Sequence, residues 1–122
     1  MKLDPNCVRA IILFLEDSEK TCHLMTDICN GIPSYDKKNL CYTINRLYEG
    51  GYINVRYNDF NGHHLIARVE TLTYEGHLLA ETFHDEKIWK KALKCAKEIG
   101  TMSIPKLVDI IIELTKGIIP IL

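Results

Sequence analysis

The sequence predicts a mainly α-helical fold with one small antiparallel β-hairpin, an α+β arrangement, and three observations carry that reading. Between Ser34 and Arg56 an apolar stripe at helical spacing meets a glycine pair and passes directly into β-favouring residues. Two β-rich runs then flank Asn61-Gly62, a turn dipeptide. Amphipathic helical patterns fill most of the remaining chain. A helix delivered straight into a hairpin is the core of a winged helix-turn-helix, here with additional C-terminal helices. The expected layout is a single domain over 1–122. Residues 1–84 form the winged-helix core, and 85–122 form a helical extension that packs on it or makes a dimer interface.

Each element has a local signal. Asp4-Pro5 is a helix start, with Asp as cap and Pro at the first helical position. Val8, Ile11, Ile12 and Leu15 build the apolar face of that helix, Leu13 and Phe14 widen it, and it ends near Asp17. Residues 22–33 read two ways. Leu24, Met25 and Ile28 suit a short second helix, the reading preferred here, whereas Cys22, Leu24 and Asn30-Gly31-Ile32-Pro33 suit a short strand and loop. The central helix, 36–49, is capped by Ser34 or Asp36. Its stripe is Leu40, Ile44, Leu47 and Tyr48, and Gly50-Gly51 supplies a positive-φ terminus.

Strands of about 52–58 and 65–72 follow, the second alternating Leu65, Ala67 and Val69 with Ile66, Arg68 and Glu70, so that one face is wet. Thr73 caps a helix with Gly76 near its start and Leu78, Leu79 and Phe83 facing inward. Asp85 starts another helix, closed by Gly100. On it Lys87, Lys90, Lys91, Lys94 and Lys97 fall on one side, and Ile88, Trp89, Ala92, Leu93, Ala96 and Ile99 on the other. A last helix from Ser103 to about Gly117 is apolar over most of its circumference, and IIPIL ends the chain.

Composition narrows the function classes. A chain of 122 residues with 47% hydrophobic and 25% charged content is an ordinary globular protein. The formal net charge of −1 gives no global pull toward a polyanion. By region the net charge is −2 over 1–33, +1 over 34–70 and zero over 71–122, so a mild positive bias falls on the helix and hairpin. The opening MKLDPNCVRA places Asp4 and Pro5 where the apolar core of a secretory signal would fall. With five cysteines, no CxxC pair and an odd count, the expectation is free thiols in a reducing cytoplasm. Leu107–Leu122 contains Asp109, Glu113 and Lys116 and is too short to span a bilayer.

Three stretches, MKLDPNCVRAIILFLED, YTINRLYEGGYI and LTYEGHLLAETFHDEKIWKKALKCAKEIG, together resemble the domain of unknown function 2513 family of phage and prophage proteins. The resemblance runs in order from Met1 to about residue 115. The Leu72-Thr73…Gly76-His77 element followed by Trp89 is its most specific part. The family tends to have Tyr-His-Leu where this chain has Tyr42-Thr43-Ile44, so any role of that histidine is absent here, and 18–33 match poorly. The resemblance implies a winged-helix-like fold and a mobile-element origin, and it carries no activity over.

The central helix and hairpin define the candidate surface. With Ile44 at the centre of the buried face, Asn39, Tyr42, Arg46 and Glu49 lie opposite, flanked by Lys38, Thr43 and Asn45. Arg46 can read guanine, and Asn39 or Asn45 adenine, by bidentate contacts. Lys37 and Lys38, at the positive end of the helix, can meet a phosphate. Arg56, Asn58, Asn61, His63, His64 and Arg68 can bring the wing to the backbone or minor groove. The expected function is therefore non-enzymatic binding of double-stranded DNA, as in a transcriptional regulator. The alternative is a winged-helix module that binds only proteins.

The lysine stripe of 87–97 reads as a solvated face, the alternative being a second, phosphate-contacting surface. His63-His64 with Cys22 and Cys29 lacks the tight ligand pairs of structural zinc sites, and no nucleophile motif is present. No metal, cofactor or catalytic residue is expected. The apolar last helix is either the central core helix or a homodimer or partner contact through Ile110, Ile111, Leu114 and Ile118.

Overall fold

The computed structural model describes residues 1–100 and 103–116. Six helices and one two-stranded antiparallel sheet follow in the order α1 (Pro5–Asp17), α2 (Met25–Gly31), α3 (Lys37–Glu49), β1 (Ile53–Phe60), β2 (His63–Leu72), α4 (Tyr74–Thr82), α5 (Glu86–Ile99) and α6 (Ile104–Thr115). The predicted caps hold. The Asp4, Asp36, Thr73 and Asp85 side chains accept bonds from the backbone N–H groups of Asn6, Asn39, Gly76 and Ile88, satisfying donors that a helix start leaves orphaned. Gly51 and Gly100 both sit at positive φ.

The helix α1 is the hub. It packs against α3, α4 and β2, and its Cys7, Val8, Ile11 and Ile12 are fully buried. From α3, Leu40, Ile44 and Leu47 meet it; the inner face of the hairpin adds Ile53, Val55, Val69 and Leu72. On its other side α1 meets α4, which packs on α6, while α5 and α6 pair. Trp89 ties α5 back to α1. Its indole N–H donates to Asn6 Oδ1 at 3.1 Å, Arg9 lies over its ring, and its edge meets Phe83 at 5.0 Å between centroids.

Residues 22–33 combine both sequence readings. His23 forms a one-residue bridge with Val69, each N–H donating to the other's carbonyl at 2.8 Å. The short α2 follows immediately, with the Asp27 carboxylate accepting from the Leu24 N–H at 2.9 Å. The His23 side chain is buried. Its Nδ1 lies 3.1 Å from the Val69 carbonyl and its Nε2 2.6 Å from Ser18 Oγ. A carbonyl only accepts, so Nδ1–H donates to it.

Several expectations are corrected. Leu78 and Ile99 do not face inward but are exposed, as is Tyr48 at the end of the α3 stripe. The alternation expected along the second strand breaks at a bulge. Arg56 pairs with Arg68 but Tyr57 pairs with Ile66, so Ala67 is an extra residue. The parity therefore reverses: Val69 and Ile66 share the inner face, and Leu65 turns outward. Ile110, Ile111 and Leu114, expected on an interface, are buried within the chain, because α5 and α4 cover them. Ile118 lies outside the described residues.

Candidate nucleic-acid interface

The predicted contact residues fall into three groups. The first is the outer face of α3. Lys37 and Lys38 occupy its first turn, exposed and with no ion pair among the described residues. Further along, each polar group has a protein partner. Arg46 pairs with Glu49 one turn on and lies over the Tyr42 ring at 5.2 Å. Asn45 Oδ1 accepts from the Tyr57 hydroxyl at 2.7 Å. Thr43 does not belong to this surface. It is 0% exposed, and its hydroxyl donates to the Asn39 carbonyl at 2.8 Å. The α3 face against α1 is wider than the apolar stripe alone suggests, and a threonine that bonds back along its helix can join it.

The second group lies on the hairpin side that faces α3. Tyr57 is its anchor, its ring meeting Tyr48 edge-on at 5.3 Å and stacking on His64 at 4.1 Å. His64 Nδ1 contacts Asp59 Oδ1 at 2.7 Å. Burial, with Tyr48 and Glu49 nearby, pushes the Tyr57 phenol above its ordinary pKa, against the smaller opposing pull of Arg46. A neutral phenol donating to Asn45 fixes the angle between α3 and the hairpin.

The third group faces the other way. Alternation along β1 puts Arg56 and Asn58 opposite to Tyr57, and the register puts Arg68 directly across from Arg56. Glu70 offsets the like-charge contact by pairing with Arg56 at 3.2 Å. At the tip, Asn61 (φ 49°) and Gly62 (φ 78°) both take positive φ, as a tight hairpin turn requires. Phe60, 66% exposed, and His63 flank them. The structure thus brings Lys37, Lys38, Asn39, Tyr42, Asn45, Arg46 and His64 toward one side, with Asn61 and His63 at the rim. It turns Arg56, Asn58 and Arg68 away.

Sequence reasoning missed the Tyr48–Tyr57–His64 cluster that supports this surface. Its only signal was aromatic enrichment at both ends of the helix-to-hairpin junction. Among the described residues no group of three or more His, Cys, Asp and Glu side chains is arranged to hold a metal ion. No described helix is long and apolar enough to cross a membrane, and all five cysteines are free thiols.

Fold and surface together define a mainly helical α+β protein in which a polar helix face is braced by an antiparallel hairpin. A family model described as "Hypothetical protein (DUF2513)" matches residues 2–103, and the chain belongs to that family. No curated protein and no solved structure matches it.

Proposed function

We propose that the protein is a winged helix-turn-helix that binds double-stranded DNA without catalysing a reaction, α3 entering the major groove and the β1–β2 tip reaching the flanking backbone. The observation that carries this reading is the element order together with the His23–Val69 bridge. Helix, one-residue strand, helix, helix and hairpin follow in sequence, and the one-residue strand pairs with the second strand of the hairpin. In such an arrangement the third helix is the one exposed for groove entry.

The polar chemistry supports it. Lys37 and Lys38 stand in the first turn of α3, where their two charges outweigh the single Asp36 carboxylate that caps the helix start and so favour an anion. Arg46 sits half a helix further along, held by an exposed ion pair worth at most about 1 kcal/mol, so a guanine edge can replace Glu49 at low cost. Control of transcription in a mobile element is the role such binding would serve.

The test is a titration of labelled duplex DNA across a range of salt concentrations. Lys37→Ala and Lys38→Ala should each lower the log–log salt slope by about 1 and weaken all sequences alike. Arg46→Ala should cost about 1–3 kcal/mol on a preferred site and much less on others. Absence of binding at low salt overturns the reading. Binding indifferent to all three substitutions moves the surface elsewhere, with the α5 lysines next.

A further inference from the structure

A groove runs between α4 and α6, on a part of the molecule separate from α3. Its floor is apolar: Leu78 and Ile112, 40% and 38% exposed, with Val108 and the ring of Tyr52. Its rim carries Glu75, Glu81 and Asp109, and the cavity they enclose is about 470 Å³. A second cavity of about 360 Å³ shares Glu81, Thr82 and Ile112 with it and continues to Lys116. From Pro105 to Lys116 the groove follows α6 for roughly 16 Å, the length of about three helical turns.

Its chemistry is one-sided. Among the described residues no lysine or arginine lines the larger cavity, and none of Glu75, Glu81 and Asp109 forms an ion pair. Burial and the Glu75 carboxylate hold the Tyr52 phenol above its ordinary pKa, so the floor stays uncharged.

We propose that this groove is a docking site for a basic amphipathic helix of a partner protein, apolar side chains seated on Leu78 and Ile112 and lysines or arginines meeting Glu75, Glu81 and Asp109. This is the helix-in-groove mode of recognition, and it stands independently of DNA binding. The lysine stripe of a second copy is a poor occupant. On α5 the apolar residues beside the lysines are buried or half-buried, and only Ile99 at its end is exposed. Lys116 at the far end of the groove gives the bound helix a direction, its basic residues toward Pro105.

The experiment is fluorescence anisotropy on the full chain with a labelled helical peptide of about 12 residues, leucines on one face and lysines beside them. The control is the same peptide with glutamates for lysines. The lysine peptide should bind at least about tenfold more tightly, since exposed ion pairs each contribute a fraction of a tenfold step. A Glu75→Gln, Glu81→Gln, Asp109→Asn variant should lose about tenfold for that peptide with an unchanged melting temperature. Ile112→Ser should weaken both peptides, and Lys38→Ala with Arg46→Ala should weaken neither. Equal affinity for the two peptides, no binding of either, or indifference to the carboxylate substitutions overturns the proposal. So does a dimer that Ile112→Ser dissolves, which would assign the groove to a second copy.

Discussion

The outer faces of α3 and α5 both carry basic side chains, but on α3 the one in mid-helix, Arg46, is held in place. On α3, Arg46 lies between the Tyr42 ring and Glu49, and Asn45 is fixed by the Tyr57 hydroxyl. On α5, Lys87, Lys94 and Lys97 stand exposed without an ion pair among the described residues, and Lys90 reaches Glu86 only at 3.8 Å. Counted as charge, α5 is the richer surface. Measured by fixed position, α3 is. A surface whose rotamers are already set loses less freedom when a partner arrives, whereas loose lysines on an amphipathic helix need no partner beyond water.

The inner sides of the two helices give the largest test of that contrast. Trp89→Ala should destabilise the protein by about 3–5 kcal/mol, read as a shift in the urea midpoint, because it removes the indole that joins α5 to Asn6, Arg9 and Phe83. A much smaller loss would make α5 an appendage whose two faces are both dispensable.

Next in size is Gly76→Ala. A β-carbon there would come within 2.0 Å of the Tyr52 carbonyl oxygen, so α4 would have to back away from the end of the hairpin. A loss of about 1–3 kcal/mol is expected. Cysteine or serine at the same site should be no better, since the clash begins at Cβ.

Tyr57→Phe sharpens the α3 side. Losing the bond to Asn45 should cost about 1 kcal/mol, and it should also alter the alkaline limb of stability. In the unfolded chain the phenol ionises near its ordinary value of 10.0; in the folded chain it ionises later. Between those two values the native state holds the extra proton, so stability is intact below about pH 10 and falls as pH rises through the folded pKa. Unfolding curves from pH 9 upward should fall less steeply for the phenylalanine variant. Tyr52, also raised, leaves a residual slope.

The smallest effects belong to the α5 lysines. Lys87→Gln and Lys94→Gln should each change stability by less than about 0.5 kcal/mol and leave DNA affinity unchanged. A lowered DNA salt slope would promote α5 to a phosphate-contacting surface.

Helices with a clear period and a capping residue were legible from residue types alone. Asp4, Asp36, Thr73 and Asp85 announce their helices because an oxygen two or three residues before an orphan N–H can reach it. Asn61-Gly62 announces the turn because so few residues accept positive φ in succession. What stayed hidden depends on contacts between distant segments. The seven-residue α2 was the preferred reading of its segment, but it is too short to show a period, and so a strand and loop stayed open beside it. The preceding bridge depends on Val69, 46 residues away. The extra residue Ala67 has no local mark, yet it decides whether Leu65 or Ile66 points inward.

The candidate surface was half legible for the same reason. Helical spacing alone exposes Asn39, Tyr42 and Arg46. The burial of Thr43 depends on how α3 packs against α1, and the turning away of Arg56 and Arg68 depends on hairpin parity.

The His23–Val69 bridge has a mechanical consequence. An isolated helix the length of α2 would not persist in water; here its entry point is clamped to β2 by two backbone hydrogen bonds and an imidazole. The amide protons of His23 and Val69 should therefore exchange with solvent together and as slowly as those of the hairpin's inner strand positions, although one of them lies in a loop. Force applied at the hairpin, by a groove edge or any other load, reaches the second helix through one residue, with no need to pass through the third.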